Sequence, residues 1–266
     1  MKACVVGYGA MGHIISDMLK DDLVCNVSIE LPYKNLNDPK EKFDVIIDFS
    51  NPKNLDMICD YVSKNHTPVV LATTGYTDED LNKIKELSKV APVLQSANFS
   101  LGVILLNRLV KEVTPILNDS FDIEIIEAHH HNKVDSPSGT AKMLLNSAMD
   151  STHYPKYGRE GYSPRDPKEI GVHSIRGGSI VGEHEVLYCG NDEVISLKHT
   201  AQSKKIFAVG AIKAANWLLD KKPGLYDMED VLFGGKWKWM QMKLLIWSRL
   251  QKRRRQLNAI LKVIRN

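Results

Sequence analysis

The chain of 266 residues contains no apolar run near the roughly 18 residues that a bilayer-spanning helix needs. Its opening, MKACVVGYGAMG, interrupts a short apolar stretch with glycines and so does not read as a secretory leader. Cysteine is scarce. Cys4, Cys25, Cys59 and Cys189 are widely spaced and form no CxxC, which argues against a cysteine zinc site and against a disulfide framework. The zinc pattern H-E-x-x-H is absent as well. These absences predict a cytoplasmic protein from a reducing compartment, with no metal centre. Acidic residues are missing from one region only. From Phe233 to Asn266 there are five Lys and five Arg and no Asp or Glu, so this tail carries +10 and the rest of the chain −7 of the net +3. The body is therefore mildly acidic and predicts no nucleic-acid or membrane partner.

What is present is ordered. With 43% hydrophobic and 25% charged residues, the chain can build one large or two modest cores. KACVVGYG reads as a buried strand, and Ala10 to Lys20 as a helix with Met11, Ile14, Ile15, Met18 and Leu19 on one face. LVCNVSIE, FDVIIDFS, TPVVLATTG and APVLQSAN follow as strands, with helices around Asn54–Lys64 and Asp78–Lys89, the latter capped by Asp78. The polar stretch Leu31 to Lys42 leaves little room for a crossover helix. This alternation predicts an α/β fold built on a doubly wound parallel sheet. After Leu101 the pattern changes to α+β with a mixed or antiparallel sheet. Helices are expected at Leu101–Leu117, Ser138–Asp150 and Lys204–Asp220, and strands at FDIEIIEAHHH, IGVHSIR, GEHEVLYCG and DEVISLKHT. His153–Glu169, with three prolines, is expected to be a long exposed loop.

VVGYGAMG places Gly7, Gly9 and Gly12 as G-x-G-x-x-G between a strand and a helix. That spacing suits a dinucleotide: a tight turn, close backbone approach to a pyrophosphate, and close helix packing. Free N–H groups at Ala10, Met11 and Gly12 would face the phosphates. Glu30, 18 residues after Gly12 and ending the second strand, is placed to accept from the ribose hydroxyls. It favours NADH and does not exclude NADPH, because Lys34 lies close by. DFSNP, ATTG and SANFS end strands on the carboxyl edge, where open α/β sheets bind ligands.

EAHHHNKVDSPSGTA is the most unusual stretch. In a strand, His129 and His131 share one face and His130 takes the other, unless the strand ends in a bend. Ser136 as N-cap and Pro137 as first helical residue would leave N–H groups of Ser138, Gly139 and Thr140 free, an anion pocket suited to a carboxylate. Lys133 adds charge, and a histidine can supply or orient a proton.

The same stretch closely resembles the signature of the dihydrodipicolinate reductase (4-hydroxy-tetrahydrodipicolinate reductase) family. The resemblance extends through VVGYGAMG, DFSNP, ATTG, SANFSLGV, HSIRGGSIVGEHEV, AQSKKIFAVGAI and GLYDMEDVL, about residues 1–232. It implies a Rossmann-type domain over residues 1–100, with 211–232 returning to it, and a substrate-binding and tetramerisation domain over 101–210. It also implies reduction of a cyclic imine dicarboxylate with NADH or NADPH in lysine and diaminopimelate biosynthesis, by a homotetramer. On this resemblance His129 is the catalytic acid/base, Lys133 the proton donor, and His130, Gly139 and Thr140 hold substrate. Phe49, Ser50, Ala72, Thr73, Thr74, Ser96, Ala97, Asn98 and Phe99 join the glycine loop and Glu30 in binding the cofactor. The sequence departs from the family in having Ser136 where Ala is usual, and no Arg before Met11 in the glycine loop.

Two other readings stand beside this one. A semialdehyde dehydrogenase needs a nucleophilic cysteine at a sheet edge, whereas Cys59 and Cys189 fall in helix and strand patterns. A silent nucleotide sensor would have no need of both His129 and Lys133. The basic tail 233–266, with Trp239, Met242, Ile246 and Leu250 at helical spacing, suits a dispensable extension, a packing helix or an anionic-surface helix.

Overall fold

A computed structural model describes residues 1–234. The basic tail expected over 233–266 lies outside the described residues except for Phe233 and Gly234. Met1–Met228 forms one compact unit.

The first sheet comprises β1 (Ala3–Val6), β2 (Leu23–Val27), β3 (Val45–Asp48), β4 (Val69–Leu71), β5 (Pro92–Gln95) and β11 (Gly224–Tyr226). Their order is β11-β5-β4-β3-β1-β2, every pair parallel. The chain turns one way from β1 to β2 and the other way to β3, so the switch point lies between β1 and β3. Parallel strands need both faces covered. Accordingly β1 and β3 are buried at every residue. Val6, Ile46 and Leu71 pack with Ile58 of α2 (Leu55–Asn65) and Ile84 of α3 (Asp78–Leu87). α1 (Ala10–Leu19) packs against α6 (Lys205–Leu218). No helix joins β2 to β3, as the short polar stretch between them predicts.

The second sheet comprises β6 (Asp122–His129), β7 (Tyr154–Tyr157), β8 (Glu169–Arg176), β9 (Gly182–Cys189) and β10 (Val194–Ala201), in the order β10-β9-β6-β8-β7. It is mixed: β6, β7 and β8 run parallel, and β9 is antiparallel to both β6 and β10. α4 (Leu101–Leu117) and α5 (Gly139–Ala148) cover one face, with Leu106, Val110, Leu144 and Leu145 on Ile123, Ile125, Val172 and Val186. The Tyr188 and Thr114 hydroxyls hydrogen-bond at 2.7 Å within this core. A short α7 (Met228–Phe233) follows β11.

Four local expectations are corrected. Thr77, not Asp78, caps α3, because its hydroxyl accepts from Asp80 N–H while the Asp80 carboxylate accepts from the Thr77 N–H. α5 starts at Gly139 with Ser138 as its cap, not at Pro137 with Ser136. The segment His153–Glu169 is not all loop, since β7 pairs with β8 as an edge strand, where Pro155 is tolerated. Cys4 and Cys25, distant in sequence, face each other across the β1–β2 register and are joined as a disulfide, with Cα atoms 4.9 Å apart. Spacing along the chain could not reveal that cross-strand neighbour.

Candidate active site

β6 ends at His129, and the chain then turns sharply through a loop whose Lys133 N–H bonds the His130 carbonyl at 3.1 Å. The bend breaks strand alternation, so His129 and His130 both line one cavity of about 630 Å³. Lys133, Gly139 and Thr140 line it too. His131 does not; it is exposed. From the first sheet's carboxyl edge come Thr74, Ala97 and Asn98. The remaining wall includes Val181, Gly182 and His184 of the β9 region, His199 of β10, Lys204 at the N-cap of α6 and Phe207 in its first turn.

A buried carboxylate underlies this wall. Glu127, 0% exposed, lies two residues before His129 on the same strand face and meets His129 Nδ1 at 2.5 Å. Arg176 reaches it with both terminal nitrogens, at 3.0 and 2.8 Å, and Ser138 N–H donates to it at 3.2 Å. Burial pushes the Glu127 carboxyl up, but bonds from Arg176, Ser174, His129 and Ser138 prevail and hold it down at about 2. An ionised Glu127 requires a proton on His129 Nδ1, which leaves Nε2 beside Gly182. A Cβ at Gly182 would come within 3.2 Å of that nitrogen, so a small residue keeps the ring in place. Burial lowers the pKa of His129, opposed by Glu127. His184 lies edge-on to His129 with ring centroids 5.1 Å apart, and burial, followed by His129, brings it down to about 4. Glu127, His129 and His184 hold donor atoms close enough to consider a metal ion. Arg176 already fills the carboxylate's coordination and places a cation beside it, so this donor set fits an ion-paired network better.

The start of α5 is open to the cavity. Ser138 Oγ accepts from Ala141 N–H at 3.1 Å and bonds His184 Nε2 at 2.9 Å. The Ser138 N–H is spent on Glu127, which corrects the expectation that it is free. Gly139 and Thr140 N–H lie in the first turn, where no helical acceptor exists. A Cβ at Gly139 would meet nothing within 4 Å, so a ligand can approach its backbone. Thr140 Oγ1 accepts from Asn98 Nδ2 at 3.0 Å, which leaves its hydroxyl proton available to an anion. This bond also ties α5 to the carboxyl edge of the first sheet. Lys133 pairs with Asp135 at 2.7 Å, and that hydrogen bond holds the Asp135 carboxyl below its usual range.

The other expected cofactor residues follow the same sheet edge without lining the cavity. Gly7 has φ +111°, and a Cβ there would lie 2.5 Å from the Phe49 carbonyl oxygen. A Cβ at Gly12 would lie 2.1 Å from the Gly7 carbonyl oxygen, whereas one at Gly9 would meet nothing within 4 Å. The loop is thus pressed between β1 and β3, with Gly9 uncovered and the N–H groups of Ala10, Met11 and Gly12 in the first turn of α1. Such a cradle fits a dinucleotide phosphate. Glu30 does not end β2. It lies three residues beyond, exposed in a turn, its N–H donating to Ser28 Oγ at 3.3 Å. Ser50 donates its N–H to Thr73 Oγ1 at 2.9 Å and its hydroxyl to the buried Asp48 at 2.5 Å, while Tyr76 also reaches Asp48. Ala72 is partly buried, and Ser96 bonds the Asn98 backbone. Phe99 is buried, its ring 5.7 Å from that of Phe49 and its carbonyl oxygen packed against Gly210 of α6. Sequence reasoning missed Glu127, Arg176, His184, His199 and Lys204. The two-residue step from Glu127 to His129 on one strand was the available signal.

The sequence models of dihydrodipicolinate reductase, N-terminus and C-terminus, match residues 1–99 and 102–232. The chain belongs to the dihydrodipicolinate reductase family. Curated 4-hydroxy-tetrahydrodipicolinate reductases are similar to it. That of Clostridium novyi is 46% identical, over 84% of this chain and 94% of its own. That of Brachyspira hyodysenteriae is 46% identical, over 87% of this chain and 100% of its own. The fold resembles a dipicolinate-bound dihydrodipicolinate reductase from Paenisporosarcina sp. TG-14, with TM-score 0.72 and 22% identity over 86% of this chain and 98% of that one. The present chain is a nicotinamide-dependent oxidoreductase. No helix among its described residues is long and apolar enough to cross a membrane.

Proposed function

We propose that the cavity is where 4-hydroxy-tetrahydrodipicolinate is reduced to tetrahydrodipicolinate, with loss of water, in diaminopimelate and lysine biosynthesis. One observation carries this reading: His129, His130, Lys133 and the open start of α5 share a cavity with Thr74, Ala97 and Asn98 of the first sheet's edge. A nicotinamide cofactor, when bound, supplies the hydride. Gly7, Gly9, Ala10, Met11 and Gly12 would hold its phosphates and Glu30 its ribose, with Phe49, Ser50, Ala72–Thr74 and Ser96–Phe99 along the ring's path. Residues 1–100 and 211–232 thus serve the cofactor, and 101–210 the substrate.

The residues of the substrate side divide the work. Gly139 and Thr140 N–H, the Thr140 hydroxyl, His130 and Lys133 grip the carboxylates, fixing the ring against the sheet edge. Substrate carboxylate replaces Asp135 as partner of Lys133. His129 Nε2 holds and moves a proton beside Gly182, Lys133 delivers one to the reduced ring, and Val181, Ile206 and Phe207 keep water away. As water is eliminated, the departing hydroxyl is protonated and the neighbouring ring carbon gives up a proton to His129 Nε2. Hydride would then add where the hydroxyl was, and the Lys133 proton goes to the neighbouring carbon, so that one proton and one hydride are consumed in all. NADH is used more readily than NADPH because exposed Glu30 repels an added phosphate. The protein works in the cytoplasm as a homotetramer. The second sheet's face away from α4 and α5 supports association, since Ile175 and Val194 are 50% and 60% exposed there. Oxidation of NADH dependent on freshly generated imine tests the reaction. An imine-independent rate, or none, overturns it.

A further inference from the structure

The proton-handling histidine and the anion-binding helix start are both fastened to one buried carboxylate. Glu127 Oε2 takes the His129 Nδ1 proton, and Glu127 Oε1 takes the Ser138 N–H that opens α5. Arg176 spans both oxygens, and its Nη2 also donates to the Asp135 carbonyl at 2.6 Å, stitching down the loop that carries Lys133. Neither residue lines the cavity. A carboxylate taken out of water is retained at this depth only when it is paired, and two of its partners here, His129 and Ser138, line the cavity.

We propose that Glu127 and Arg176 are a positioning pair that fixes the Nδ1–H tautomer of His129 and joins it, through Ser138 and Asp135, to both anion-gripping elements. This rests on the proposed function, but the geometry makes its own demand. An acceptor-only carboxylate admits one tautomer of a neutral His129, whereas an amide in the same place can donate and reverse it. The pair also sets the charge around the ring. Glu127 on β6 favours a protonated His129, Lys133 on the loop and Arg176 on β8 oppose it, His184 on β9 lies edge-on to the ring, and His199 on β10 lines the same cavity.

Glu127→Gln tests this in the full chain. Long-range ¹⁵N spectra of histidine-labelled protein should show His129 as the Nδ1–H tautomer in the parent and the Nε2–H tautomer in the variant. Turnover with the imine should fall about 10²-fold, the lower end of an acid–base contribution. NADH affinity should stay within twofold, because no cofactor residue touches Glu127. The amide leaves Arg176 without its counter-charge, so Glu127→Gln combined with Arg176→Met removes both charges and restores folding if the single variant loses it. The double variant should fold, bind NADH and still show the reversed tautomer and low turnover. A parent-like tautomer, or turnover within twofold, in either folded variant overturns the proposal. A parent that does not reduce the imine defeats the functional reading instead, while the tautomer result still decides the positioning role.

Discussion

At the scale of single residues, the two full charges assigned to ligand binding divide by role. Lys133 is directed at substrate, so Lys133→Ala should cut kcat/KM for the imine by at least ~10²-fold while NADH affinity changes less than about twofold. Steady-state kinetics with fluorescence titration of NADH checks both, and unchanged turnover rejects the role. Glu30 is exposed at the far end of the same edge. Glu30→Ala should weaken NADH and improve NADPH relative to it, since an acceptor and a repulsive charge leave together. Equal weakening of both cofactors would remove Glu30 from the ribose.

At the scale of elements, the start of α5 combines a helix cap and a binding site. Ser138→Ala deletes the acceptor for Ala141 N–H and the His184 partner, at a cost of about 1 kcal/mol from the cap. The imine KM should rise several-fold with NADH affinity unchanged; a KM within error of the parent would show that the pocket does not depend on its cap. The periodic elements were readable because one face is buried: α4 matches its predicted span Leu101–Leu117, and the glycine loop follows β1 as expected. Misreadings occur where a tertiary partner decides. Ser136 is the cap that the sequence suggests, but Ser138 takes that place in the fold, where its N–H donates to Glu127 and its Oγ accepts from Ala141 N–H and bonds His184. His129 and His130 belong together because the strand stops, and strand periodicity carries no stop signal there. Glu127 resembled an ordinary strand acid until Arg176, 49 residues away, was placed opposite.

At the scale of the whole molecule, pH dependence follows from buried groups. His184 is neutral when folded, its pKa brought down by burial, chiefly, to about 4 from 6.5. A depressed pKa means the unfolded chain binds the proton more readily, so this stability is complete above about pH 6.5 and is lost as pH falls towards 4. Denaturant midpoints should decline over that window in the parent and less steeply in His184→Asn; parallel declines would contradict a buried neutral His184. Truncation after Leu232, where the family match ends, should leave kcat and KM for both substrates within twofold, because every assigned contact lies upstream. A truncated chain that cannot fold would make the tail structural. The central claim is that one cavity grips a dicarboxylate against the cofactor edge. Inhibition by pyridine-2,6-dicarboxylate tests it most directly. Inhibition should be competitive with the imine and at least tenfold weaker in Lys133→Ala, whereas inhibition that ignores imine concentration, or is unchanged in that variant, would place the dicarboxylate outside this cavity.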